Sequence, residues 1–127
     1  MMQAVRVLVI GSTGRRTESL LVLLRAIPGV EKVGHAECAS GVWQTIGEFC
    51  PDVVLVDVGM PEPQIVALLR RLAAAHPEIG RLALVGTRDQ ALVAHTAGAT
   101  AVVMVPATLE RLQAGIRDAS QRSPVAT

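Results

Sequence analysis

The stretch Pro51-Asp52-Val53-Val54-Leu55-Val56-Asp57-Val58-Gly59-Met60-Pro61 holds a short apolar run between two carboxylates. Four consecutive apolar residues, mostly β-branched and followed by turn formers, read as a strand buried on both faces. Such a strand sits inside a sheet. Asp57 follows it directly, so the run carries a carboxylate to the strand's carboxyl end. Desolvating a carboxylate there is costly unless something binds it. Asp57 reads either as a loop carboxylate that takes backbone N–H bonds or as a nucleophile for phosphoryl transfer.

Runs of the same kind flank this one. Val5–Ile10, residues 82–85 and residues 101–105 are short and apolar, and residues 32–37 are more polar, as suits a strand nearer an edge. Helical patterns lie between them. Residues 17–27 stop at Pro28-Gly29, a strong stop signal. Ser40 is placed to N-cap a helix running to about Phe49, ended before Pro51. Residues 64–76 put Ile65, Leu68, Leu69 and Leu72 on one face and stop before Pro77. Residues 89–97 end at Gly98, a C-terminal glycine cap. Thr108 is placed to cap a last helix carrying Leu109, Leu112 and Ile116 on one stripe, and residues 121–127 read as a flexible tail. Five strands alternating with five helices predict an α/β fold over residues 1–120, a parallel five-stranded sheet between two helical layers.

Composition narrows the function. The 127 residues are 50% hydrophobic and 18% charged, which excludes general disorder. Twelve basic against 11 acidic side chains give a net charge of +1, no electrostatic footprint for nucleic acid or an anionic membrane. Aromatics are 2% with no Tyr, too few for a base-stacking platform. The longest apolar run, residues 20–24, is far below the roughly 18 residues of a membrane span, and the start is too short for a secretion signal. Cys38 and Cys50 flank an expected helix whose ends are about 15 Å apart, beyond disulfide reach, so both are read as thiols of a cytoplasmic protein. His35, His76 and His95 fall on different segments without ligand spacing, so no metal site is expected. Trp43 reads as partial packing, and Arg70, Arg71 and Arg88 as solvated.

Ligands of open α/β sheets gather at the carboxyl ends of the strands. Those ends are Gly11-Ser12, Asp57, Gly86-Thr87 and Val105-Pro106. The segment around Asp57 resembles the phosphoacceptor segment of bacterial response-regulator receiver domains. Val5-Arg6-Val7-Leu8-Val9-Ile10 resembles their first strand. Pro28-Gly29-Val30, Val33-Gly34-His35-Ala36, His76-Pro77-Glu78-Ile79 and Ala97-Gly98-Ala99 are similar as well. The resemblance is strongest to receivers that precede a helix-turn-helix output domain and runs from about Val5 to Ser120. It implies a flavodoxin-like (βα)5 sandwich of strand order 2-1-3-4-5, with Asp57 at the phosphoacceptor position.

The rest of the family's chemistry does not carry over. Gly11 and Ser12 stand where the family has an acidic pair for Mg²⁺. Gly86 replaces the Thr or Ser that binds the phosphoryl group, with Thr87 one step on, and Val105 replaces the phosphate-pairing Lys. Val102 replaces the aromatic switch residue. Phosphoryl transfer needs positive charge to neutralise the equatorial oxygens. The sequence therefore predicts a degenerate receiver: no enzyme, no cofactor, Mg²⁺ binding weak or absent, signalling through protein contacts. Partners implied by the resemblance are a histidine kinase or an output domain, and a second copy through helix 4, strand 5 and helix 5. Two alternatives stand beside this reading. One is a receiver still phosphorylated on Asp57 in a phosphorelay. The other is a small nucleotide- or NADP-binding protein using the Gly11–Gly14 loop, with Gly14, Arg15 and Arg16 at the N-terminus of a helix that favours anions. In the degenerate receiver, with the acidic pair gone and Arg15-Arg16 in the same loop, Asp57 is expected to be neutralised by an arginine or by backbone N–H groups in place of metal.

Overall fold

The computed structural model describes residues 4–12, 14–37, 41–57 and 59–121. The elements are β1 (Val5–Ile10), α1 (Arg15–Arg25), β2 (Val30–Ala36), α2 (Val42–Phe49), β3 (Val53–Val56), α3 (Glu62–Ala75), β4 (Gly80–Val85), α4 (Arg88–Ala97), β5 (Ala101–Met104) and α5 (Leu109–Gln121). The five strands pair in parallel in the order β2-β1-β3-β4-β5. This is the flavodoxin-like arrangement expected from the sequence.

Side chains alternate across the sheet, and the two faces build separate cores. Val5, Val7, Val9, Val53, Leu55, Leu82, Leu84 and Val103 pack with Leu20, Leu24, Leu112 and Ile116 of α1 and α5. Leu8, Ile10, Val54, Val56, Ala83 and Val85 pack with Val42, Ile46, Leu68, Leu69, Leu72 and Ala94 of α2, α3 and α4. This division follows from right-handed crossovers. The step from β1 to β2 runs one way along the sheet and later steps run the other, so α1 lies opposite α2, α3 and α4. Apart from the exposed Arg6 near the start of β1, both faces of β1, β3 and β4 are therefore dry, which is why these runs read as nearly continuous apolar stretches.

Element ends differ from the sequence reading in physically accountable ways. Helix α1 begins at Arg15, capped by Gly14, and closes on tight turns in which the Ala26 and Ile27 N–H groups donate to Leu23 and Leu24. Strand β2 runs from Val30, because Val30 pairs with Val5 before a register shift. Helix α2 begins at Val42 with Gly41 at the cap position, and Cys50 ends it in the left-handed conformation (φ 53°). Ser40 and Cys38 lie outside the described residues, and Cys50 has no disulfide among the described ones. Helix α3 starts two residues early at Glu62, with Pro63 in the first turn, where its missing N–H costs nothing. Strand β4 starts at Gly80 and takes in a buried arginine, Arg81. Strand β5 stops at Met104, one residue short of Val105. Thr108 caps α5, its Oγ1 accepting from Arg111 N–H at 3.2 Å. Gln121 is the last residue of that helix and not the first of the tail, and residues 122–127 lie outside the described residues. Arg71 is not simply solvated: its guanidinium lies 4.2 Å from the centroid of the half-buried Trp43 ring, a cation–π contact. No described helix is long and apolar enough to cross a membrane.

Gly47, in the middle of α2, has nothing within 4 Å of where a Cβ would stand. Gly47→Ala should therefore raise stability by about 0.5–1 kcal/mol, through helix propensity alone. Urea unfolding checks it: a higher midpoint with an unchanged slope is the predicted outcome.

Candidate functional site

The carboxyl ends of β1, β3, β4 and β5 converge on Asp57. The Asp57 N–H donates to Ile10 O at 3.1 Å, and the Gly11 N–H donates to Ala36 O at 3.1 Å, which sets these two residues side by side. A Cβ on Gly11 would stand 2.8 Å from the Asp57 Cβ, so position 11 has no room for a side chain on this backbone. Two further bonds hold the β1 end. His35 Nε2 is 2.9 Å from Gly11 O, and since a carbonyl can only accept, that nitrogen carries the proton. Thr17 Oγ1 donates to Ser12 O. Ser12 itself is exposed.

At the β4 end the polar groups serve α4. Gly86 N–H donates to Gln90 Oε1 at 2.7 Å, and Thr87 Oγ1 accepts from Gln90 N–H at 3.1 Å. Thr87 is thus the N-cap of α4. At the β5 end, Val105 and Pro106 present apolar surface in place of a cation.

Asp57 is 4% exposed and lines a cleft of about 570 Å³ between α1 and the β5–α5 connection. Its walls are Leu20 and Leu23 of α1, Leu84 of β4, Val105, and Leu112 of α5. Arg16 stands at the cleft. Its Nη1 and the Asp57 Oδ2 both come near Gly59, at 3.5 and 3.7 Å from that residue's Cβ position. The two charges do not close into an ion pair, and the Asp57 carboxylate has no hydrogen-bond partner among the described residues. The expected neutralisation of Asp57 by an arginine or by N–H groups is therefore not formed: Arg16 is near the carboxylate but exposed. Arg15 is exposed and does not line the cleft.

The loop that opens α1 departs from a phosphate cradle. Gly14 is extended (φ 162°), a conformation any residue adopts, and has open space at its Cβ position. Thr13 lies outside the described residues. Nor do the residues fit a divalent cation: Asp57 is the one carboxylate lining the cleft, Gly11 offers no ligand, and no described cluster of three His, Cys, Asp or Glu residues gathers anywhere.

The structure brings Asp57, Gly86 and Val105 to one cleft, with Gly11 beside Asp57. The sequence reading missed Leu20, Leu23 and Leu112. The spacing of Arg16, Leu20 and Leu23 by four and three residues was the available signal, since it puts them on one face of a helix.

No family model matches the chain. Individual relatives do. It is 34% identical over 106 residues to a protein-glutamate methylesterase/protein-glutamine glutaminase of Anaeromyxobacter dehalogenans, covering 80% of this chain and 29% of that protein. It is 32% identical over 75 residues to response regulator GacA of Pseudomonas aeruginosa, covering 59% of this chain and 35% of that one. Among solved structures, the beryllofluoride-activated NtrC4 receiver domain dimer is 25% identical with a TM-score of 0.76, over 93% of this chain and 98% of that one. The receiver domain of NarL from Mycobacterium tuberculosis superposes with a TM-score of 0.80 at 20% identity, over 94% and 98% of the two chains. The chain belongs to the response-regulator receiver domains. It spans about a third of the length of these curated relatives, which include both methylesterases and a response regulator.

Proposed function

We propose that this domain is a receiver that has lost its phosphorylation switch and signals through constitutive protein contacts. The observation that carries the reading is Gly11. The place where a receiver keeps an acidic side chain is filled by the Asp57 Cβ, 2.8 Å from where a Cβ would be. The remaining losses agree. Thr87 and Gly86 are engaged in capping α4. Val105 supplies no cation, so a phosphoryl group on Asp57 would lack its charge neutralisation.

The domain itself is read as non-catalytic and cytoplasmic. Any activity borrowed from the methylesterase relatives would belong to sequence that this chain does not span. Its partners are read as a histidine kinase or an output domain, and a second copy across α4, β5 and α5. That face offers Leu92 and Met104 as exposed apolar side chains, with Arg111 and Arg117 at its rim.

One experiment tests both parts. The chain is incubated with acetyl phosphate and millimolar Mg²⁺, then examined by intact-mass spectrometry and by sedimentation. The expected outcome is no phosphoryl adduct and an oligomeric state unchanged by treatment. An adduct on Asp57, or a dimer formed only after treatment, would establish the phosphorelay reading instead.

A further inference from the structure

We infer that the cleft between α1 and the β5–α5 connection is a binding site for a small amphipathic amine, a molecule with a protonated amino end and an aliphatic or aromatic body. The inference goes beyond the loss of phosphorylation and stands on the cleft alone.

Asp57 sets the inner end. It is nine-tenths buried and more, lines the cleft, and has no hydrogen bond or ion pair among the described residues. No buried side-chain oxygen among the described residues lacks a partner, so the Asp57 carboxylate oxygens open onto the cleft, the one face from which a donor can reach them. A cation with N–H donors satisfies both the carboxylate's charge and its lone pairs. The chain supplies none at that position: Val105 is apolar, and exposed Arg16 stays beyond ion-pair distance.

The walls set the body. Leu20, Leu23, Leu84, Val105 and Leu112 give an apolar lining, and Leu23 is 42% exposed on the helix surface beside it. A volume of about 570 Å³ lies within the roughly 300–1,000 Å³ of small-molecule sites. An anion would meet Asp57, and a pure hydrocarbon would leave that carboxylate uncapped. A metal ion would find a single carboxylate and leucines. Arg16 at the cleft disfavours a second positive charge on the ligand's outer end.

The test uses the full chain, labelled with ¹⁵N, and titrates n-hexylamine against 1-hexanol at neutral pH while following backbone amide shifts. Hexylamine should shift the amides of Gly86, Val105 and Ala107 and bind at least about fivefold tighter than hexanol, with octylamine tighter again by about tenfold. Asp57→Asn should abolish the preference for amine over alcohol. Val105→Lys, which brings an internal ammonium to the carboxylate, should suppress amine binding, and this arm decides if the Asn variant does not fold. Equal affinity for amine and alcohol would overturn the inference. So would a preference that survives both substitutions, or shifts confined to the opposite face of α5. Acetyl phosphate is absent from these titrations, so phosphorylation of Asp57 would refute the switch-less reading while leaving this result interpretable.

Discussion

Arg81→Ala should lower the unfolding free energy by about 3 kcal/mol. Arg81 is a charged residue inside the sheet, 5% exposed, in a strand whose other members are apolar or glycine. Its guanidinium is held by backbone carbonyls at the sheet's lower edge: Nε donates to Gly98 O at 2.6 Å, and Nη1 to Ile79 O at 2.8 Å and Pro77 O at 3.4 Å. One side chain therefore ties the α3–β4 connection to the α4–β5 connection. Truncation leaves these carbonyls without that donor and opens a cavity, each loss costing about 1–3 kcal/mol. Burial pushes the Arg81 pKa below its ordinary value, partly opposed by Glu78. A lowered pKa in a base means that folding disfavours its charged form, so stability gains from this group only as pH rises into the arginine range. Around neutrality it is charged in both states, and the effect of the substitution should not vary with pH. Urea unfolding at two near-neutral pH values measures both; a loss under about 1 kcal/mol would show that the clamp is dispensable.

Gly80→Ala is the second large effect, with an expected loss of about 2–3 kcal/mol. A Cβ there would fall on the carbonyl of Ala119, backbone of α5 that cannot rotate away as a side chain would. The Gly80 N–H also donates to Asp52 O at 2.9 Å, which pins the residue from the other side. Helix α5 must then lift from the start of β4. The same chemical change at Gly47 has the opposite sign, because nothing stands in its way there. Thermal or urea unfolding of the two variants side by side reads this contrast; a Gly80→Ala protein as stable as the parent would refute the close approach.

The sheet was legible because its interior strands are dry on both faces. Val53–Val56 cannot satisfy a helical or an alternating pattern, and helix stops at Pro28-Gly29, Pro51, Pro77 and Gly98 punctuate the rest. Arg81 hid the start of β4, since a charge ends an apolar run on paper, whereas in space its long side chain reaches the carbonyls at the sheet edge. The depth of Asp57 in the site was readable from its place after β3. The cleft was not, because Leu23 and Val105 are 82 positions apart and meet only through the crossover that puts α1 and α5 on one face. Thr87 illustrates the limit of position-by-position matching: it stands one step from a phosphoryl-binding place, and it caps a helix.

The sheet has two open margins, and they are guarded unequally. Along β2, Glu31 and Lys32 are exposed and charged, with Glu31 paired to Arg6 at 3.4 Å, so another strand arriving there must bury ionised groups. Along β5 the row is Ala101, Val102, Val103 and Met104, uncharged, with Met104 39% exposed. Unsatisfied N–H and C=O groups beside an uncharged row are a template for strand addition from a neighbouring molecule. The charges on that side, Arg111, Arg117 and Asp118, belong to α5 and line the groove beside the strand rather than the strand itself, so sheet extension is favoured along β5 over β2, and Met104→Lys is the substitution that would oppose it.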